Sequence, residues 1–231
     1  MTVAIMQPYF FPYLGYWQLI NAVDKYVVYD DVAYIKGGWV NRNYVLINGK
    51  ASLFTIPLEN SSSFRNINEI RITSDAIAVK KLVKALELSY AKAPYRAEVL
   101  PMIEDLLHGN TDIATLNLEG ILRINQYLGI DTDIILSSKL EKRNDLKAQE
   151  KVIHINKLLN ADRYVNAIGG MKLYDRSAFE AAGIELKFLK MDAIEYQQFR
   201  EPFVPDLSII DVLMFNGRAG TRELLDKYTL I

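Results

Sequence analysis

Met6-Gln-Pro-Tyr-Phe-Phe-Pro-Tyr-Leu-Gly-Tyr16 follows the short apolar run Val3-Ala-Ile5 and leads into Trp17, Leu19, Ile20 and Ala22 at helical spacing. Strand, connection and helix together open a βα unit. A strand-to-helix connection usually needs about two to six residues. This one is longer, with two prolines, five aromatics and one amide, Gln7. Prolines stiffen the backbone, and aromatic rings form flat walls that cost little entropy to fix. The run therefore reads either as a preformed pocket wall beside the first strand or as a rigid aromatic plug in the core.

Outward from this loop, strands and helices alternate. Residues 15–23 read as a helix, and Lys25 to Tyr29 as a strand that stops at Asp30-Asp31. Asn48-Gly49 sits between the apolar runs Tyr44–Ile47 and Ala51–Leu58, the strongest short-range hairpin signal, because both turn residues need positive φ. Asn60 to Ser63 reads as a surface loop, and Ile67 to Thr73 as a further strand. Three helices are expected next: one capped by Ser74, one over Tyr95 to Leu107, and one beginning after Asn110 and Thr111 and ending near Gly129. Asp133–Leu136, Arg163–Val165 and Ile184–Leu189 read as strands, and residues 146–160 and 173–182 as helices between them. The expected architecture is a single α/β domain over residues 1–231. It has a Rossmann-like, mostly parallel sheet flanked by helices, a β-hairpin, and a helical insertion over 74–129.

Composition narrows the function classes. The 27 basic and 28 acidic residues nearly cancel, which leaves no electrostatic footprint for nucleic acid or an anionic membrane. The absence of cysteine excludes disulfides, thiolate nucleophiles and cysteine-ligated zinc. No segment approaches the ~20 apolar residues of a membrane span. The N-terminus lacks a signal-peptide pattern, so a cytoplasmic location is expected. There is no G-x-S-x-G, Walker loop or complete G-x-G-x-x-G, which argues against serine hydrolases, P-loop NTPases and Rossmann dehydrogenases.

In an open parallel α/β sheet, ligands bind beyond the carboxyl ends of the strands. Gln7 to Tyr16, Asp30-Asp31, Ser137-Ser138 and Asn166 to Gly170 all follow expected strands, so they should converge on one sheet edge. Asp30 or Asp31 could hold Mg²⁺, or the pair could be a solvated strand end. Lys36-Gly-Gly-Trp-Val-Asn-Arg-Asn43 offers cations for a phosphate or carboxylate and Trp39 for stacking on a sugar or base. Leu207 to Gly217 is apolar almost all round and should be a buried helix, with Ser208 and Asp211 on one polar stripe. A buried Asp211 must be paired, hydrogen-bonded or protonated. It reads as a structural partner or as a base of raised pKa. Asp131-Thr-Asp133 precedes its strand and carries little weight, and Glu150 and His154 read as an exposed helical pair.

Gln7-Pro-Tyr-Phe-Phe-Pro-Tyr-Leu-Gly-Tyr16, Asp30-Asp31, Trp39-Val-Asn-Arg-Asn43, Tyr164 to Gly170 and Leu207 to Gly217 together resemble the WbqC-like family over nearly the whole chain. That resemblance implies a bacterial O-antigen or other surface-polysaccharide pathway. Some members are described as transferring glycine to an amino sugar. Strand, loop and helix also look like the start of nucleotidylyltransferases, whose two loop histidines would fall at Tyr13 and Tyr16. Tyrosines can hydrogen-bond a phosphate but supply no positive charge at neutral pH, so this second likeness implies a shared fold with altered chemistry.

The expected function is acyl or aminoacyl transfer to the amine of a nucleotide-activated sugar. The alternatives are a degenerate nucleotidylyltransferase-like enzyme using Mg²⁺, and a non-catalytic sugar-nucleotide-binding subunit. Asp30, Asp31 or Asp211 would act as base. Gln7, Asn41 and the backbone around Gly169-Gly170 would orient the carbonyl, with Lys36 and Arg42 on the diphosphate. Tyr9, Tyr13, Gly15, Tyr16, Trp39, Asn166 and Ser208 complete the expected binding set.

Overall fold

The computed structural model describes residues 1–109, 111–200 and 202–231. Its main sheet takes β1 (Thr2–Met6), β2 (Lys25–Val28), β5 (Asp133–Leu136), β6 (Arg163–Ala167), β7 (Glu185–Met191) and β8 (Tyr228–Leu230) in the spatial order β5-β2-β1-β6-β7-β8. The first five are parallel and β8 is antiparallel. Counting only these strands along the chain, the order is the 3-2-1-4-5-6 of the Rossmann arrangement. β3 (Arg42–Ile47) and β4 (Lys50–Thr55) form a separate antiparallel hairpin. Its turn residues have positive φ as the Asn-Gly signal requires, 53° at Asn48 and 76° at Gly49.

Alternation along the buried strands divides the core between two faces. Ala4, Tyr26, Val28 and Val165 pack toward α1 (Leu14–Asn21) and α7 (Ile209–Leu224). Val3, Ile5, Val27 and Tyr164 pack toward α5 (Ala148–Leu158) and α6 (Arg176–Ala181). Between the hairpin and β5 the chain forms α2 (Ala76–Ser89), α3 (Arg96–Gly109) and α4 (Ile113–Leu128), whose apolar sides join the core that holds α7.

The loop after β1 is largely buried, and a buried loop must have its backbone polar groups satisfied. Each of its carbonyls but one is reached from elsewhere. Tyr16 Oη donates to Gln7 O at 2.8 Å, and Asn117 Nδ2 of α4 donates to Pro8 O at 2.9 Å. Asn43 Nδ2 of β3 donates to Phe10 O and Phe11 O, and Ser208 Oγ adds a 2.6 Å bond to Phe11 O. Pro12 O accepts from Trp17 Nε1 and from the Ile209 amide. Phe11 itself has φ 42°, a left-handed conformation uncommon for a bulky residue. The loop is thus both wall and plug: Phe10, Phe11 and Tyr16 are buried, while Tyr9 and Tyr13 keep partial exposure.

Several sequence expectations need correction. Ile67 to Thr73 is not a strand. Ile67–Glu69 is a 3-10 turn closed by an Asn66/Glu69 capping box, and isolated bridges tie Ile72 to Leu58 and Arg71 to Asp112. The alternation there reflects packing under α4 and not sheet pairing. α2 is capped by Asp75, whose carboxylate accepts from the Ile77 amide, and not by Ser74. α4 does begin after Thr111, capped by Asp112, whose carboxylate accepts from the Thr115 amide, and ends at Gly129; Asn110 lies outside the described residues. Leu173 belongs to a 3-10 run over Ile168–Leu173 that precedes α6. The helix capped by Ser208 does break at Gly217, where φ is 59° and ψ −164°, and a second helical piece carries α7 on to Leu224.

Asn117 also donates to Val40 O at 2.8 Å, so replacing it leaves two buried carbonyls without that donor. Asn117→Ala is expected to lower stability by about 2 kcal/mol, read from the urea midpoint. An unchanged midpoint would show that the loop is not held this way.

Candidate functional site

β1 leads to β2 on one side of the sheet and β6 leads to β7 on the other, so the topological switch point, where open α/β sheets bind ligands, lies between β1 and β6 at their carboxyl ends. The parallel pairing brings the segments after β1, β2, β5 and β6 to this one edge. Gln7 is half-buried, and its side chain makes no hydrogen bond among the described residues. Asn166 is buried, donating to Tyr164 Oη at 2.9 Å and accepting from the Ala167 amide at 2.7 Å. A methyl group on Gly170 would lie 3.1 Å from the Asn166 amide, so glycine lets the chain close over that side chain, whereas Gly169 is open to solvent.

The acidic pair splits. Asp30 is buried, accepting from the Ser138 amide at 2.9 Å and from Asn68 Nδ2 at 3.3 Å. Asp31 pairs with Lys142 at 2.6 Å, and Lys151 stands 4.0 Å away over the Tyr29 ring. The side chains of Lys142, Lys151 and Asp31 are only 2, 12 and 16 % exposed. Burial raises the Asp31 carboxyl, but Lys142 and Ser137 against it, with the charge of Lys151 beyond, outweigh this and hold it below its usual value. An ammonium group already seated on Asp31, and an amide and a backbone N–H on Asp30, are a poor donor set for Mg²⁺. Among the described residues no three His, Cys, Asp or Glu side chains gather around a metal position.

Asp211 lies in the interior, away from this edge. Tyr196 Oη at 2.6 Å and Gln198 Nε2 at 2.9 Å donate to one oxygen, and Tyr90 Oη at 2.9 Å to the other. Tyr90 in turn accepts the Leu46 amide. Burial pushes the carboxyl up, and the three donors pull it back only in part. Ser208 caps α7, accepting from the Ile210 amide, and pins the first loop.

Of the remaining expected residues, Tyr9, Tyr13 and Trp39 border a cavity of about 440 Å³, lined also by Pro12, Asn43, Tyr44 and Asp206. Trp39 is 40 % exposed and stands edge-on to Tyr44, with ring centroids 5.7 Å apart. Asn43 is fixed by the loop carbonyls, and Tyr13 packs so closely that a methyl on Gly15 would come within 2.5 Å of its ring. Arg42 Nε donates to Gly38 O, leaving its other two nitrogens without a hydrogen bond among the described residues, and Lys36 is exposed. Two expected residues point elsewhere. Asn41 joins Tyr34 Oη to Ile56 O, and Tyr16 is buried with its hydroxyl on the first loop.

Sequence reasoning missed Lys142, Lys151, Asn43, Tyr44 and Asp206. The lysines sit in a polar, charge-mixed stretch with no pattern to mark them. Asp206 follows Pro205 directly before the apolar helix, which was the one available signal.

Fold and site together define a Rossmann-like α/β protein with an aromatic cavity and a polar sheet edge. The chain belongs to the WbqC-like protein family, whose model matches residues 7–223. It is also 29 % identical, over 227 residues and 96 % of each chain, to Uncharacterized protein Rv1507c of Mycobacterium tuberculosis. No solved structure matches. The match begins at Gln7, the first residue of the buried loop.

Asp31→Asn would strand two buried ammonium groups. At pH 7 the expected loss is about 2 kcal/mol, less than for a fully buried pair because Asp31 keeps some solvent contact. The folded pKa is depressed, so the stabilisation is complete above the unfolded value and is lost as pH falls through the folded one. Urea titrations of both proteins should therefore begin to converge near about pH 4 and meet only below the depressed folded pKa. A gap that persists unchanged into acid would refute the pairing.

Proposed function

We propose that this protein is a transferase of surface-polysaccharide biosynthesis acting on a nucleotide-activated amino sugar, with acyl or aminoacyl transfer to the sugar amine. The observation that carries the reading is the aromatic cavity: Tyr9, Tyr13, Trp39 and Tyr44 offer apolar ring surface, with the amide of Asn43 and the carboxylate of Asp206 among them. Rings with a few placed polar groups suit a sugar or a base, whose faces are apolar and whose edges hydrogen-bond. Membership of the WbqC-like family supports the reading only through the surface-polysaccharide pathway that the resemblance implies.

Lys36 and Arg42 flank Trp39 in sequence and carry uncommitted donors, which suits the diphosphate. Gln7 and the backbone at Gly169-Gly170 belong to the segments that leave β1 and β6 at the switch point, which suits them to polarise a carbonyl. The chemistry joins the amine nitrogen to the acyl carbon of an activated donor, releases the donor's leaving group, and hands the amine proton to a base. Asp30, Asp31 and Asp211 are committed to Ser138 and Asn68, to Lys142 and Lys151, and to Tyr90, Tyr196 and Gln198. Asp31, at the sheet edge, is the best placed of the three to take part, through its lysines.

Thermal shift against UDP- and dTDP-linked amino sugars tests the reading. Ligand at about a hundredfold over Kd should stabilise the protein by roughly 2.7 kcal/mol. Trp39→Ala, or Lys36→Ala with Arg42→Ala, should abolish the shift while leaving the unliganded midpoint nearly unchanged, since these side chains are largely exposed or peripheral. No shift with any sugar nucleotide would overturn the proposal. A shift untouched by the cation pair would remove the diphosphate assignment alone.

A further inference from the structure

Asp206 makes no hydrogen bond or ion pair among the described residues, although it borders the aromatic cavity. Asp206 is exposed, but its backbone is held in place. The backbone at 206 has φ 57°, a left-handed conformation that Asp adopts more readily than most residues. Two residues on, Ser208 is tied on both sides of the cavity. Its amide donates to Tyr44 O at 2.8 Å, its hydroxyl to Phe11 O, and it bridges to Tyr13. The next amide, Ile209, reaches Pro12 O at 2.9 Å. The carboxylate is therefore presented from an anchored point to the wall formed by the first loop and the hairpin. Burial, and after it Tyr9 and Asp206, raise the Tyr13 phenol.

We propose that this cavity contains an ammonium subsite, in which the Asp206 carboxylate pairs with a protonated amine of the substrate against the aromatic rings of Tyr9, Trp39 and Tyr44. Ring quadrupoles attract a cation, a carboxylate beside them neutralises it, and a neutral amide or hydroxyl gains from neither. The cation–π and ion-pair contributions act together only for a charged nitrogen. This deepens the proposed function and rests on it for what carries the amine. The subsite itself stands on the cavity, and it selects amines over hydroxyl or acylated analogues. When the amine is deprotonated, the same carboxylate, the one acidic side chain among the residues lining the cavity, takes the proton.

The test uses D-glucosamine, D-glucose, N-acetyl-D-glucosamine and glycinamide, titrated at pH 7 against the full chain and against Asp206→Asn. Binding is read from the Trp39 indole resonance, with Trp39→Phe to assign it. Asparagine also tolerates the left-handed backbone, so the variant should keep its fold, checked by its amide spectrum. Glucosamine is expected to bind more tightly than glucose or the N-acetyl sugar. Asp206→Asn should weaken it roughly tenfold and leave glucose unchanged, as expected for one charge-assisted contact of about 1.4 kcal/mol. An Asp206-dependent preference for glycinamide alone would support the subsite while assigning the amine to an aminoacyl donor, against the amino-sugar reading. Equal binding of glucosamine and glucose, a preference that survives in the variant, or no Trp39 response to either amine overturns the subsite. None of those results depends on whether sugar nucleotides shift the melting temperature.

Discussion

The structure depends on satisfying the buried carbonyls of residues 7 to 12. A stiff, proline-containing loop cannot pair with a strand, and its oxygens are removed from water. Donors from α1, β3, α4 and the start of α7 converge on it: Tyr16 and Trp17, Asn43, Asn117, and Ser208 with Ile209. Each bond is modest, but leaving any of these oxygens unpaired costs more than the bond contributes. Elements distant in the chain are therefore held in one relative placement. The cavity between the loop and the hairpin is a result of that placement.

Two other polar clusters show how the fold treats buried charge. Asp211 is enclosed by two tyrosines and a glutamine, which tie the segment before α7 to α2 and, through Tyr90, to the hairpin. Asp31 instead receives two lysines at the end of β2, where β5 and α5 meet it. Charges placed this way rarely add net stability over an apolar core, yet removing one partner is costly. The Asp31 cluster locks geometry at the sheet edge and the Asp211 cluster does so in the interior, whereas Asp206 has no partner among the described residues where the cavity opens.

Much of the fold was legible. The strand–loop–helix opening, the Asn48-Gly49 hairpin and the β-α alternation of the last third all follow from periodicity and turn chemistry, which are local. The failures were also physical. Ile67 to Thr73 alternates like a strand, but its partners are a turn and two isolated bridges, decided by α4 packing above it. β8 is three residues long, too short to stand out before its pairing with β7 is known.

For the site, sequence alone determined which segments leave the carboxyl ends of parallel strands, because strand direction follows from β-α alternation. It also marked the aromatic loop, Trp39 and the Ser208–Asp211 stripe as unusual for their surroundings. Only the tertiary structure decided what those residues do. Tyr16, Asn41, Ser208 and Asp211 turned out to hold the framework together, while Lys142 and Lys151 came to Asp31 from more than a hundred residues away. A side chain's role depends on which donors, acceptors and charges reach it across space. Such partners leave no trace in local spacing, so Asp206 became visible only when the hairpin and the first loop met to form the cavity that it borders.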